Sequence, residues 1–167
     1  LILVKQLGIE HVINARTADA VKAVAAITDG LGADAVILCA AAKSSEPINQ
    51  AFKMCRERGR VVIVGAVGME LERGDFYNKE IDLRISRSHG PGRYDRRFEE
   101  KGYDYPPAYA RWTETRNLEA FLDAVAAGRV NVAALISAEY AIENAQAAYH
   151  DVLHGGPSKI GVLLKYP

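Results

Sequence analysis

The chain has 167 residues, 49% hydrophobic and 25% charged, enough for one compact domain or two small lobes. Its 21 Lys plus Arg balance 21 Asp plus Glu, so no charge excess points to nucleic acid or an acidic membrane surface. Cys39 and Cys55 lack CxxC spacing, which argues against a disulfide scaffold or structural zinc site; no apolar run nears the ~20 residues of a membrane span, and no signal peptide is visible, so the expected compartment is the cytoplasm.

Leu1 to Gly8 reads as the last turns of a helix closed by glycine. With no initiator Met or capping residue before it, the expectation is a chain that starts inside an element of a longer protein. His11 to Asn14 is a short strand candidate. Thr17 is the expected N-cap of the next helix, with Asp19 in its first turn. Val21, Val24, Ala25 and Thr28 share one face of that helix, and Gly30 and Gly32 end it. Ala33 to Ala40 is a continuous apolar run, which suggests a strand buried on both faces. Ser45 caps the following helix, Pro47 fits its first turn, and Ile48, Ala51, Phe52 and Cys55 form its apolar stripe, with Gly59 as the stop. Arg60 to Gly65 is a second apolar strand, expected parallel to the first with helices covering both faces. Ile81 to Arg87 alternates, as a strand at or near a sheet edge does.

Residues 88–112 concentrate glycine, proline, arginine and tyrosine, which suggests a long ordered loop and a lobe boundary. A helix begins within 113–117, with Leu118, Phe121, Leu122 and Val125 as its expected buried face and Gly128 as its end. Ala134 to Ser137 is a short strand candidate. Ile142, Ala145, Tyr149, Val152 and Leu153 stripe a last helix ending at Gly155-Gly156-Pro157, and Ile160 to Tyr166 closes the chain as a strand.

Strands alternating with helices imply a doubly wound sheet, where ligands bind at the carboxyl ends of the strands. The segments after the three strand candidates of the first half are therefore the candidate site: Asn14-Ala15-Arg16, Cys39 to Ala42, and Gly65 to Gly68. Small residues at the last two let a flat ring approach the backbone; they equally allow tight strand-to-loop packing. Gly30-Leu31-Gly32-Ala33-Asp34-Ala35 spells a dinucleotide fingerprint, but it follows a helix and opens a strand, the reverse of the order that puts pyrophosphate on a helix N-terminus. His89 is a weak candidate acid or base, or a loop histidine bonded to backbone. His150 and His154 stand four apart on a helix without an acid to complete a zincin motif, so no metal site is expected. Arg93, Tyr94, Tyr105 and Arg111 suit a polar, anionic or sugar-like substrate, or a solvated loop of paired charges.

The order of the pieces resembles the medium-chain dehydrogenase/reductase family. The resemblance is carried by Lys5 to Asn14, by Thr28 to Val36, by Gly59 to Gly65, and by Asn117 to Val130 with Tyr140 to Leu153. Ser86 to Asp95, Tyr105-Pro106 and Arg111 to Glu114 are similar to zinc-type alcohol dehydrogenase homologues found fused to a second oxidoreductase domain. The resemblance implies an α/β chain in two parts. Residues 1–88 would be a partial Rossmann-type NAD(P)-binding lobe lacking its first two strands, and 89–167 the C-terminal portion of the catalytic lobe. It implies NAD or NADP as cofactor and an alcohol, carbonyl or sugar-related small molecule as substrate. Asn14 and Arg16 would lie near adenine or ribose, Ala40, Ala41, Gly65, Ala66 and Val67 beside the nicotinamide, and Ser88 on the substrate side. The family's zinc ligands, glycine-rich turn and ribose-binding acid have no counterpart in this sequence. The expectation is a chain inactive alone, which forms homo-oligomers through exposed sheet edges around 71–87; the alternative is a non-catalytic α/β binding or oligomerisation module.

Overall fold

A computed structural model describes residues 2–156 and 158–167. It contains two compact units, residues 13–118 and residues 119–167 with 1–12. The division between these compact units falls after Leu118. Glu114 N donates to Pro91 O at 2.8 Å, and Asn117 Nδ2 donates to His89 O at 2.9 Å, which ties the start of the helix after 113 back to 89–91.

α1 (Ile2–Gln6) ends as expected, with Gly8 in a left-handed conformation at φ +83°. His11 to Asn14 forms no strand. A strand is defined by a hydrogen-bonded neighbour, and none pairs with this segment. α2 (Ala20–Ile27) is capped by Asp19, whose side chain accepts from Lys22 N, and not by Thr17. The Thr17 hydroxyl instead donates to Asn14 O at 3.3 Å. The glycines at 30 and 32 follow α2 and precede β1 (Ala33–Leu38), so the fingerprint-like string has the wrong polarity here too.

α3 (Glu46–Met54) leads into β2 (Cys55–Ile63), and α4 (Arg73–Asn78) into β3 (Asp82–Ile85). The three strands form one parallel sheet in the order β1-β2-β3, with Val36 opposite Val61 and Val61 opposite Leu83. The expected side-by-side parallel pairing of the two apolar runs is present, and β3 is an edge strand. Gly59 does not stop the helix; it sits in a short excursion of β2, where the pairing jumps from Cys55 to Arg60. A Cβ at Gly59 would lie 2.4 Å from Cys55 Sγ.

The apolar stripe of α3 is buried as its spacing requires. Ile48, Ala51, Phe52 and Cys55 pack with Val61, Ile63 and Ile81, and the Phe52 and Phe76 rings stack 5.1 Å apart. Burial pushes the Cys55 thiol up from its ordinary value. Asn49, also buried, donates to Glu70 O and accepts from Glu72 N, which pins the 70–72 loop to the helix. Lys79 reaches across from the end of α4 and donates to the carbonyls of Phe52, Lys53 and Cys55 at 2.9–3.0 Å. It thereby caps the C-terminus of α3, where a cation also favours the helix dipole.

Helices do not cover both faces of the sheet. Ile37, beside Val62 on the face opposite α3, is 66% exposed. Arg60 and Arg84 bracket Asp82 on that same face at 2.8 Å, and hydrogen bonds from Arg84 and then Arg60 hold the Asp82 carboxyl below its usual range. The face is thus part apolar and part solvated ion network.

Residues 96–101 form α5 (Arg96–Lys101), so the expected long loop contains a helical turn. α6 (Glu114–Ala126) begins where expected and ends before Gly128, which has φ +67°. Leu118, Phe121 and Leu122 are exposed, not buried as their spacing suggests. In the second unit, a 3₁₀ turn at Ala133–Leu135 takes the place of the first half of the expected strand. β4 (Ile136–Ala141) follows, and a second 3₁₀ turn holds Ile142. α7 (Ala145–His154) then crosses to β5 (Gly161–Lys165), which pairs parallel with β4. α7 turns its small face inward: Ala148 is buried, and Tyr149, Val152 and Leu153 are exposed, contrary to the stripe reading. The reason is local. Tyr140 of β4 donates to Asp151, which also pairs with Lys159, so Asp151 and Ala148 face the strands. Pro157 lies outside the described residues. Among the described residues, no helix is long and apolar enough to cross a membrane.

Replacing Lys79 with Met keeps the apolar stem and removes three charge-assisted hydrogen bonds. Urea unfolding should show a loss of about 2 kcal/mol; an unchanged midpoint would mean that the α3 cap contributes nothing.

Candidate functional site

Parallel strands end on one edge of a sheet, so the segments after β1, β2 and β3 leave it together. The first two are joined by backbone. Gly65 N donates to Leu38 O at 2.9 Å, and Ala42 N donates to Ala66 O at 2.8 Å. Ala41, Ala42 and Lys43 on one side and Ala66, Val67 and Gly68 on the other line a shallow cleft of about 580 Å³. Ala41, Ala66 and Val67 of the expected cofactor residues meet there. Ala40 and Gly65 do not line it. A Cβ at Gly65 would stand 2.0 Å from Ala40 O, so this glycine is needed by the two strand ends themselves. Gly68 is similarly closed in, with Ser45 Oγ 2.5 Å from a built Cβ. Ser45 occupies the N-cap position of α3, yet its hydroxyl accepts from Glu70 N at 3.0 Å and makes no cap bond.

Asn14 and Arg16 share a tight turn in which Asn14 Oδ1 accepts from Arg16 N at 3.1 Å. Neither lines the cleft at 41–68. Ser88 follows β3, exposed and in left-handed backbone at φ +47°. His89 Nδ1 lies 3.2 Å from Glu114 Oε1. Sequence reading missed this acid, because 25 residues separate it from the histidine and no local spacing links them.

A second cleft, of about 440 Å³, opens beyond β3, lined by Arg87, Gly90 to Asp95, Ile85 and Tyr105. Three of the four expected substrate residues line it; Arg111 does not, and stacks on Trp112 at 4.3 Å. The Tyr105 hydroxyl donates to Asp95, which raises the phenol and lowers the carboxyl relative to their ordinary values. Arg93 pairs with Glu99, whose carboxyl is lowered in turn. Arg116 fixes the far wall through Asp104 and the carbonyls of Tyr105 and Ala110. Cys39 is exposed and unpaired. Among the described residues, no three His, Cys, Asp or Glu side chains converge as a metal site. His150 and His154 stand with ring centroids 4.6 Å apart.

The Gly65 contact makes a stability prediction. Gly65→Ala should cost about 2–3 kcal/mol in urea unfolding, the range of an overpacked core; a loss under ~0.5 kcal/mol, within the range of ordinary surface changes, would show that the strand ends part freely.

The zinc-binding dehydrogenase family matches residues 1–101. Sorbitol dehydrogenase of Halalkalibacterium halodurans is 27% identical over 93% of this chain, and D-arabitol-phosphate dehydrogenase of Enterococcus avium is 25% identical over 96%. The chain spans 39% of the length of each. Two solved structures share its fold over its whole length: an Escherichia coli oxidoreductase/dehydrogenase of unknown specificity (TM-score 0.71, 20% identity) and benzyl alcohol dehydrogenase of Acinetobacter calcoaceticus (TM-score 0.70, 20% identity). The chain covers 41% and 40% of those two structures. The parallel β1-β2-β3 sheet with its small-residue carboxyl ends is thus a Rossmann-type arrangement, and the chain belongs to the zinc-binding dehydrogenase family.

Proposed function

We propose that this chain supplies parts of the cofactor and substrate sites of an oxidoreductase that transfers hydride between NAD or NADP and an alcohol or carbonyl compound, with polyols or sugars as the substrate class. Residues 1–88 contribute to the nucleotide-binding lobe and 89–167 to the catalytic lobe. The observation that carries this reading is the cleft where the β1 and β2 ends are bonded together. Its walls are small and largely apolar, which fits the flat nicotinamide end of the cofactor. Bound there, the nicotinamide supplies the hydride acceptor or donor.

The chain's own part is positioning. Ala40, Ala41, Gly65, Ala66 and Val67 present backbone to the ring, Ser88 sits on the substrate side, and Asn14 and Arg16 lie toward adenine or ribose. His89, with Glu114 beside it, is the candidate proton carrier. Arg93, Tyr94 and Tyr105 face the substrate. Arg111 is left out, since it lies off the cleft. The pyrophosphate fits less well: among the described residues, no glycine-rich turn leads from a strand into a helix. The reading therefore centres on binding of the nicotinamide end.

Titration of the chain with NADH and with NADPH, followed by amide NMR, tests it. Saturable shifts at Ala41, Ala66 and Val67 are expected, and Ala66→Phe, which fills the cleft, should abolish them. No response to either cofactor would sink the reading.

One observation favours a second reading, a non-catalytic binding or oligomerisation module. β1 and β3 each keep an unpaired edge, and Ile37 is exposed beside them. Sedimentation velocity should then show self-association that rises with concentration and weakens in Ile37→Lys. A monomer at every concentration would remove this reading.

A further inference from the structure

The cleft beyond β3 has the walls of a built site. Gly92 is buried, and a Cβ there would strike the Phe98 ring at 2.8 Å. Phe98 stacks on Tyr105 at 5.8 Å, and Tyr105 is held by Asp95. Asp95 in turn N-caps α5 by accepting from Arg97 N at 2.9 Å. Each link fixes the next, so little ordering is left to a ligand. The volume, about 440 Å³, falls within the range of small-molecule sites.

The charges in this cleft are not equivalent. Arg93 is neutralised by Glu99. Asp95 is engaged by Tyr105 and by backbone. Arg87 has no carboxylate partner among the described residues. Its guanidinium lies over the Tyr94 ring at 4.7 Å, and Arg93 lies 4.6 Å from the same ring. A guanidinium stacked on a ring keeps its N–H edge free, and that edge matches the oxygens of a phosphate in bidentate fashion.

We propose that this cleft binds a small phosphorylated polyol, with Arg87 pairing with the phosphate and the Tyr105–Asp95 pair taking a hydroxyl. Tyr105 keeps acceptor capacity while it donates to Asp95, and Asp95 Oδ2, which accepts that bond, keeps a second lone pair for a ligand hydroxyl. The Tyr94 ring is occupied by the two arginines, which disfavours stacking of a neutral sugar ring there. The proposal rests on the oxidoreductase reading only in naming the ligand a substrate.

The test is amide NMR titration of the 167-residue chain with sorbitol 6-phosphate, inorganic phosphate and sorbitol, with NADH in a parallel series. Sorbitol 6-phosphate should shift Gly90, Gly92, Tyr94 and Asp95 saturably. Inorganic phosphate should shift the same amides more weakly, and sorbitol should bind at least ~10-fold less tightly than its phosphate. Arg87→Gln should weaken sorbitol 6-phosphate at least ~10-fold, as loss of a charge-assisted pair does, with the thermal midpoint unchanged. Arg129→Gln should bind like the original chain. No shifts at 88–95, equal affinity for sorbitol, or an unaffected Arg87→Gln variant would each overturn the proposal. Shifts at 90–95 with none from NADH would leave it standing while the hydride-transfer reading fails; the reverse pattern separates them the other way.

Discussion

Phe52 and Ile48 wedge α3 against Val61 and Ile63, and that contact holds β2 between β1 and β3. Each of these buried side chains contributes on the order of 1.5–3 kcal/mol of transfer free energy. The wedge is held at its lower end as well, because Lys79 takes up the last carbonyls of the helix. With α3 seated, the register of β1 on β2 is fixed residue by residue, Val36 to Val61 and Leu38 to Ile63. That register then decides which loops meet beyond the strands. A slip of one residue would reverse the faces and separate Ala41 from Ala66.

The opposite face of the sheet obeys a different rule. Residues paired across parallel strands share a face, so Ile37, Val62 and Arg84 stand together, as do Ala35, Arg60 and Asp82. Toward β3 this face is a carboxylate between two arginines, which water and the ion pairs satisfy. Toward β1 it is apolar, and Ile37 remains open to solvent. An apolar patch next to an unpaired strand edge is the combination that natural sheets cover or pair. The same strand order that positions the candidate site therefore leaves an apolar side chain exposed beside the β1 edge.

The sequence was legible where periodicity and a partner coincide. The stripe Ile48, Ala51, Phe52, Cys55 is buried because a strand lies under it. The stripes Leu118-Phe121-Leu122 and Tyr149-Val152-Leu153 have the same spacing and are exposed. Spacing identifies an apolar side, not whether anything in the chain packs on it. His11 to Asn14 failed as a strand for the related reason that a strand exists only through its neighbour. The cap of α2 was expected at Thr17 and is Asp19, because the Thr17 hydroxyl is taken by Asn14 O while Asp19 accepts from Lys22 N. The small residues at 40–42 and 65–68 were readable as strand ends. The pairings of His89 with Glu114 and of Lys79 with the end of α3 were not, since they join residues about 25 apart that only the fold brings together.

The two clefts owe their placement to one topological fact. Neighbouring strands lie ~4.8 Å apart, and β1, β2 and β3 are adjacent and run the same way. The cleft at Ala41 to Gly68 therefore begins where β1 and β2 end, and the cleft around Arg87 begins one strand further along the same edge. Transfer of hydride demands that cofactor and substrate be in contact, and a sheet edge provides such neighbouring seats without any long-range adjustment. Ser88 and His89 lie three and four residues after the end of β3, and neither lines either cleft. Any role for His89 in proton movement therefore belongs to the proposed hydride transfer and not to its contact with Glu114, which by itself is an ordinary surface pairing.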